Sequence, residues 1–183
     1  MAGLLPFAFA QVSRCVPSAS SCAFYTCVEQ SLQCERGPRS DSYLIQYGLK
    51  YCERFSSLRL DAVGTRWTTS TKLCLQQRLA GLLRSNPRPS CAALTSFAFA
   101  SHPACYTQPS SSVCDLSIRT QARISTTVDT SDLLTRRSVV QVGQVAQTCA
   151  RRIINRGIES GQRVLESGVD TARRGLHNIW ERA

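Results

Sequence analysis

Apolar residues recur at helical spacing from Asp61 to Asn86, DAVGTRWTTSTKLCLQQRLAGLLRSN. Steps of three and four place them on one side of a helix. Ser85-Asn86-Pro87 ends this helix, because proline has no amide donor and disfavours helical geometry in the residue before it. The predicted buried stripe consists of Val63, Trp67, Thr71, Cys74, Leu75, Leu79 and Leu82. The polar residues that mostly fall off it are Lys72, Gln76, Gln77, Arg84 and Arg88.

The chain before this stretch predicts two further helices. Residues 11–40 are rich in serine, proline and cysteine and contain a short helix around Ala23–Leu32, followed by a polar loop at Glu35–Ser40. A second helix runs from about Asp41 to Leu58, with Ser40 or Asp41 as its cap. Its apolar stripe is Leu44, Tyr47 (or Gly48), Tyr51, Cys52 and Phe55.

After Pro89 the pattern becomes less regular. Cys91–Ala100 predicts a short buried helix that stops at Ser101-His102-Pro103. Residues 105–114 form a loop between two cysteines, and Pro109 with three serines makes it flexible. Ile118–Thr130 is rich in threonine and β-branched residues, which indicates an extended or irregular segment.

The last segment, Asp132–Ala183, predicts a long amphipathic helix. Four glycines lie inside it, and each costs a helix about 0.5–1 kcal/mol relative to alanine. They indicate either a smooth face for close helix packing or a weak or broken terminal helix. We expect residues from about Gly157 onward to be cut first by proteases. One apolar stripe is Val139, Val142, Ala146, Cys149 and Ile153, and a second is Ile158, Leu165, Val169, Ala172, Leu176 and Trp180.

The chain has ten cysteines, at positions 15 to 149. It contains no CxxC pair, and its two histidines do not combine with cysteines at zinc-ligand spacing. A disulfide framework is therefore favoured over a reduced or metal-bound set, and it places the mature protein outside the cytosol. The predicted fold is all-α, a disulfide-stapled helical domain with a long C-terminal amphipathic helix.

The first ten residues, MAGLLPFAFA, are apolar, and Ala8-Phe9-Ala10 has the small-x-small form of a signal-peptidase site. The stretch lacks a basic region and is short, so it is interpreted as a signal-peptide remnant of a clipped gene model or as a minimal signal. No apolar run reaches the 18 residues expected of a membrane span.

The formal net charge is +10, and 20 of the 22 basic residues are arginine. Arginine pairs in the last segment indicate either attachment to anionic glycans or lipid head groups, or a solvated helix face. We expect no nucleic-acid partner for an extracellular chain. The candidate residues for an anionic surface are Arg136, Arg137, Arg151, Arg152, Arg173 and Arg174.

Candidates for catalysis are few. His102 beside Pro103 is interpreted as a helix-stop or packing residue. Asp115, Asp129 and Asp132 are too scattered along the chain for a carboxylate pair or a calcium-binding loop. We therefore predict that the protein is not an enzyme, and we assign it no catalytic residue, metal ligand or cofactor.

The order of the cysteines resembles that of stanniocalcins. The similar features are C-x6-C-x4-C-x6-C at Cys15–Cys34, Tyr51–Phe55, Cys74-Leu75 and Cys105-Tyr106, together with single cysteines at 91 and 149 and Val113-Cys114. The resemblance covers about residues 15–150.

It implies a secreted, largely helical, disulfide-bonded hormone associated with calcium and phosphate regulation. It also implies five pairs: Cys15–Cys27, Cys22–Cys52, Cys34–Cys91, Cys74–Cys105 and Cys114–Cys149.

Two departures from the family matter. Glu29-Gln30-Ser31 stands where the family has a glycosylation sequon, which puts glycosylation in doubt. The family's additional cysteine, which bridges two subunits, has no counterpart after Cys149, so a covalent dimer by that route is excluded while a non-covalent one stays open.

The resulting hypothesis divides the chain into a signal remnant (1–10), a stanniocalcin-like domain (11–153) and a basic helical tail (154–183). The function is that of a secreted regulatory factor acting on an extracellular protein receptor. The alternative is an extracellular binding protein that inhibits a metalloprotease, as vertebrate stanniocalcins inhibit pappalysins.

Overall fold

The computed structural model describes residues 14–36, 43–108 and 110–180 and shows an all-α chain with one short hairpin. The predicted signal remnant at 1–10 and the predicted caps Ser40 and Asp41 lie outside these residues. The elements are α1 (Ala23–Leu32), a 3₁₀ turn (Cys34–Arg36), a π-helical segment (Tyr43–Leu49), α2 (Lys50–Ser57), α3 (Ala62–Ser85), α4 (Cys91–Tyr106), β1 (Thr107–Gln108), β2 (Ser111–Ser112), a 3₁₀ turn (Val113–Asp115), α5 (Ile118–Ser125), α6 (Thr130–Leu133) and α7 (Arg136–Trp180).

The chain forms two units, Met1–Val145 and Ala146–Ala183, and the division lies within α7. In the first unit α3 packs chiefly against α4, and α1 packs against the π-helical segment. The main core joins these four elements through Tyr25, Leu44, Leu79 and Leu94. A second cluster around Trp67 lies under α5.

The helix at Asp61–Asn86 forms as predicted, but its buried face is shifted from the predicted stripe. Val63 is exposed and Leu82 is only half-buried, whereas Lys72 and Gln76 are buried. The shift has a polar cause: the Gln76 amide accepts a hydrogen bond from the Ser18 amide (2.8 Å) and donates one to the Ser21 carbonyl (3.0 Å). A buried amide is stable when both of its ends are paired, as here.

Asp61 positions the start of α3. Its carboxylate accepts a hydrogen bond from the Gly64 amide (2.7 Å), which satisfies one of the free donors of the first turn. The hydroxyl of Thr120 in α5 donates to the same carboxylate (2.7 Å). A Cβ on Gly64 would stand 2.7 Å from the Thr120 methyl, so glycine lets α5 approach this closely.

The second predicted helix forms, and its first half is π-helical: the segment Tyr43–Leu49 leads without a break into α2. Gly48 lies in this segment against α1. A Cβ there would stand 2.6 Å from Cε1 of Tyr25, and the absence of a side chain therefore permits the contact.

Two segments predicted as irregular are ordered. Part of the 105–114 loop is an antiparallel hairpin in which Thr107 pairs with Ser112 and Gln108 with Ser111. The 118–130 segment begins with α5, which Ser117 caps by accepting the Thr120 amide (3.2 Å). Thr120 and Ile124, four residues apart, are buried on one face, and this packing overrides the modest helix propensity of β-branched residues.

All ten cysteines are disulfide-bonded. Four bonds join Cys15 to Cys27, Cys22 to Cys52, Cys34 to Cys91 and Cys74 to Cys105, the pairs that the resemblance implies. Cys114 and Cys149 are disulfide-bonded as well. No cysteine of this chain is left to bridge a second copy.

α7 is continuous through its glycines, so the broken-helix alternative is wrong. Its predicted apolar stripe is not buried: Val139, Val142 and Ile153 are exposed, whereas Ser138 and Gln141 are buried in the first unit. Three of its glycines carry no close contact either, since nothing lies within 4 Å of a Cβ built at Gly143, Gly157 or Gly161. Within the described part of the chain, no helix has both the length and the apolarity needed to cross a membrane.

Candidate functional site

Pro103 lies inside α4, where the sequence predicted the helix to stop. Proline has no amide hydrogen, so the carbonyl of Phe99, four residues earlier, loses its helical donor. The side-chain amide of Gln141 in α7 replaces it, with Nε2 donating to the Phe99 carbonyl oxygen at 2.9 Å. This replacement explains how α4 continues to Tyr106, and the predicted stop at Ser101–Pro103 is therefore wrong.

The same amide fixes the protonation of His102. Because Nε2 of Gln141 faces a carbonyl, Oε1 is the end that faces the imidazole, at 3.2 Å from Nδ1. An amide oxygen only accepts, so the proton of the neutral ring resides on Nδ1. Nε2 of His102 then accepts the Tyr43 hydroxyl proton at 2.9 Å.

The environment of His102 is aromatic and closed. The imidazole is 1% exposed, and the ring centroids of Tyr43, Tyr47, Phe99 and Tyr106 lie 5.3–5.9 Å from its own. Burial lowers the pKa of His102 to about 4, with the Gln141 hydrogen bond acting weakly in the opposite direction. Of the two interpretations of His102, packing residue is the correct one, since the ring is buried, neutral and hydrogen-bonded on both nitrogens.

Sequence reasoning missed a charged cluster between α2 and α6. Lys50 Nζ lies 2.7 Å from Asp129 and 2.9 Å from Asp132, and Arg54 Nη1 lies 2.5 Å from Asp129. The hydroxyl of Tyr51 donates to Asp132 and accepts the Asp129 amide. The structure brings Asp129 and Asp132 together around Lys50, an arrangement that the sequence analysis did not anticipate. The only sequence signal for the cluster was their three-residue spacing.

The ion pairs of this cluster hold α2 against α6. Hydrogen bonds from Arg54 and then Lys50 lower the pKa of Asp129 to about 2, and the hydrogen bond to Asp129 raises that of Lys50. Although burial favours its neutral form, hydrogen bonds from Tyr51 and Lys50 lower the pKa of Asp132. Asp129 is paired with two cations and Asp132 with one, and among the described residues no three His, Cys, Asp or Glu side chains are grouped so that they could hold a metal ion.

Lys72, unlike the partly exposed charged cluster, is buried, although the sequence placed it off the buried stripe. Its Nζ lies 2.6 Å from the Ser56 hydroxyl, and burial lowers its pKa. It lines a cavity of about 40 Å³ whose other walls include Tyr25, Tyr47 and Trp67. This volume is sufficient for water molecules and too small for a metabolite. The cavity is therefore not a substrate site.

An open groove runs beside the first half of α3, with a volume of about 640 Å³. Arg66 is the one charged side chain among the residues that line it. This wide depression, which is open to solvent, is named here the α3 groove. Its lining residues are Ala19, Leu60, Ala62, Thr65, Arg66, Thr69, Ser70 and Leu73.

The arginines proposed to bind an anionic surface do not form one patch. Arg136 and Arg137 are exposed at the start of α7, with the Arg137 guanidinium 5.8 Å from the centre of the Phe99 ring. Arg151 is exposed and Arg152 is half-buried. Arg174, also exposed, lies 22 residues after Arg152, about 33 Å further along the helix. The side chain of Arg173 lies outside the described residues.

Comparisons with known proteins identify no family: no family model, curated protein or solved structure matches this chain.

Proposed function

We propose that this protein is a secreted regulatory factor of the stanniocalcin type that acts by binding another protein. One observation carries the proposal: all ten cysteines are disulfide-bonded, and four pairs are those implied by the resemblance. Disulfides of this number persist in oxidising compartments and are rare in the cytosol. This chemistry supports an extracellular location, and the resemblance supports a calcium or phosphate readout.

Three of the described side chains that could perform acid–base chemistry are engaged in structure. His102 is enclosed by aromatic rings, Lys72 is buried against Ser56, and Asp129 is paired with two cations. The α3 groove is instead open and almost uncharged. These features favour a binding protein over an enzyme.

Ion flux across a transporting epithelium tests the proposed function. The oxidised protein should change the flux of labelled calcium or phosphate, and the reduced, alkylated protein should not. Thr65→Arg in the α3 groove should weaken the response, whereas Gln77→Arg, which adds the same charge at an exposed position on the same helix, should preserve it. An unchanged flux with correctly oxidised protein contradicts the proposal.

The alternative is inhibition of an extracellular metalloprotease of the pappalysin type. The bond between Cys74 and Cys105 supports it, because it fixes the helix that forms the groove to α4. Rigid surfaces bind proteases tightly because little conformational entropy is lost on binding. Titrating the protein into a peptide-cleavage assay tests this alternative. Inhibition that Thr65→Arg weakens supports it, and unaffected cleavage excludes it.

A further inference from the structure

The apolar side of α7 is uncovered in the second unit. Val164 is 72% exposed and Leu165 is 70% exposed. Four other large aliphatic residues of this unit are more than half exposed: Ile153, Ile154, Ile158 and Val169. Their spacing places them along one side of the helix over about four turns. A contiguous exposed apolar strip of this length indicates a surface that is covered by something else.

The opposite side of α7 is polar, and the unit as a whole carries more positive than negative charges. Asn155, Glu159, Glu166 and Asp170 follow one another at helical spacing on that side. Residues 146–180 contain six arginines against three acidic residues. The unit therefore combines an apolar strip with an excess of three positive charges.

The charge discriminates among the surfaces that could cover the strip. A second copy would bring two helices of like net charge together, which is unfavourable. A sulfated glycan would pair with the arginines and leave the apolar strip in water. An anionic lipid surface accepts both features, since acyl chains cover the apolar side and head groups attract arginine.

We propose that residues 146–174 of α7 bind along the surface of an anionic phospholipid membrane, with Ile154, Ile158 and Leu165 directed toward the acyl chains. This interaction goes beyond the proposed function, because it needs no protein partner. A basic amphipathic helix of low net hydrophobicity lies in the plane of the interface, with its apolar face about 5–10 Å deep at the boundary between head groups and acyl chains.

Co-flotation of the full, oxidised chain with vesicles tests the proposal. Vesicles of phosphatidylserine and phosphatidylcholine should carry the protein to the top of the gradient, and phosphatidylcholine alone should carry much less. Added salt should weaken the binding without abolishing it, because only the electrostatic part is screened. Equal distribution of the protein with and without anionic vesicles overturns the proposal.

Two variants with the same change in charge separate the apolar contribution. Leu165→Asp adds a negative charge on the apolar side, and Asn155→Asp adds one on the polar side. We expect Leu165→Asp to lower the partition coefficient by about 30-fold or more, since it also removes a leucine side chain that the acyl chains would bury. Asn155→Asp should lower it only about fivefold. Equal losses in the two variants overturn the proposal. Both positions are exposed, so both variants should retain the wild-type melting temperature.

The arginines supply the electrostatic contribution to vesicle binding. Arg151→Gln with Arg152→Gln should weaken vesicle binding by about 30-fold. Two results would assign the surface to another occupant and overturn the proposal. One is binding to heparin with no binding to vesicles. The other is a dimer in analytical ultracentrifugation that Leu165→Asp dissociates, again without vesicle binding.

Discussion

Both units of this chain contain apolar residues at helical spacing, but these residues are mostly buried in the first unit and exposed to solvent in the second. In the first unit, residues at helical spacing such as Trp67, Thr71 and Leu79 are buried. In the second, Ile154, Ile158 and Leu165 have comparable spacing and face solvent. Periodicity therefore specifies that a helix forms, but burial of its apolar side requires a second element to pack against it.

The two units also differ in the contacts that their polar side chains make. Gln76, Lys72 and Gln141 each contact a partner on a different element of the first unit. Such pairs specify how two elements meet, because a misplaced neighbour leaves a buried polar atom unsatisfied. In the second unit, by contrast, Arg163, Thr171 and Arg174 donate to backbone carbonyls one turn earlier in the same helix, as Arg163 does to Glu159.

The largest expected effect comes from removing a disulfide of the first unit. Replacing both Cys74 and Cys105 by alanine opens a bond with a sequence separation of 31 residues. We expect a loss of about 3–4 kcal/mol in unfolding free energy, measured by urea denaturation. Truncation after Gly157 is the matched change in the second unit and should alter the same quantity by less than about 0.5 kcal/mol. A larger loss from the truncation would mean that the exposed helix supports the core.

The pH dependence of stability should report the burial of His102. Its folded pKa of about 4 lies below the unfolded value of about 6.5, so folding favours the neutral ring. The resulting stabilisation is fully present above pH 6.5 and is lost as the pH falls toward 4. It amounts to about 3 kcal/mol.

Urea denaturation at pH 7 and pH 4 measures this loss, and His102→Gln should remove most of it. The Asp129 carboxylate contributes little to this difference, because its pKa of about 2 means that its contribution to stability is lost mainly below pH 4. Equal stability at the two pH values in the wild-type protein would contradict the neutral, enclosed imidazole.

Gln141 is expected to matter more than other glutamines of α7. Gln141→Ala leaves the Phe99 carbonyl without its donor and leaves His102 Nδ1 with only the Tyr106 hydroxyl, at 3.3 Å, which should cost about 1–3 kcal/mol. Gln147→Ala, at an exposed position of the same helix, should change stability by less than about 0.5 kcal/mol. Thermal unfolding of the two variants distinguishes them, and similar melting temperatures would refute the role assigned to Gln141.

Two glycines of the first unit should respond to alanine with opposite signs. Gly48→Ala forces the buried Tyr25 ring to move and should cost about 1–3 kcal/mol. Gly81→Ala in α3 meets only Arg84 Nη2 at 3.8 Å and should stabilise the protein by about 0.5–1 kcal/mol, as expected for a helix interior. Both values come from urea denaturation. Destabilisation by Gly81→Ala to the same extent would show that the contact with Tyr25 is not the cause.

Sequence patterns predicted local structure better than they predicted contacts between elements. The bounds of α1 and α3 follow from apolar spacing and from the Asn86-Pro87 stop. The continuation of α4 through Pro103 depends on Gln141, 38 residues later, and no local signal encodes it. The same holds for the charged cluster, where Lys50 meets Asp129 and Asp132.

Limited digestion with trypsin tests most directly the claim that stability resides in the disulfide-bonded first unit. Arginines occur in both regions, at Arg78 and Arg84 in α3 and at Arg156 and Arg163 in α7, so trypsin has cleavage sites in both helices. Intact-mass measurement of the oxidised protein should show first cuts after Arg156 and Arg163, with all ten cysteines retained in the resistant fragment. First cuts after Arg78 or Arg84, with the C-terminal half of α7 intact, would contradict the claim.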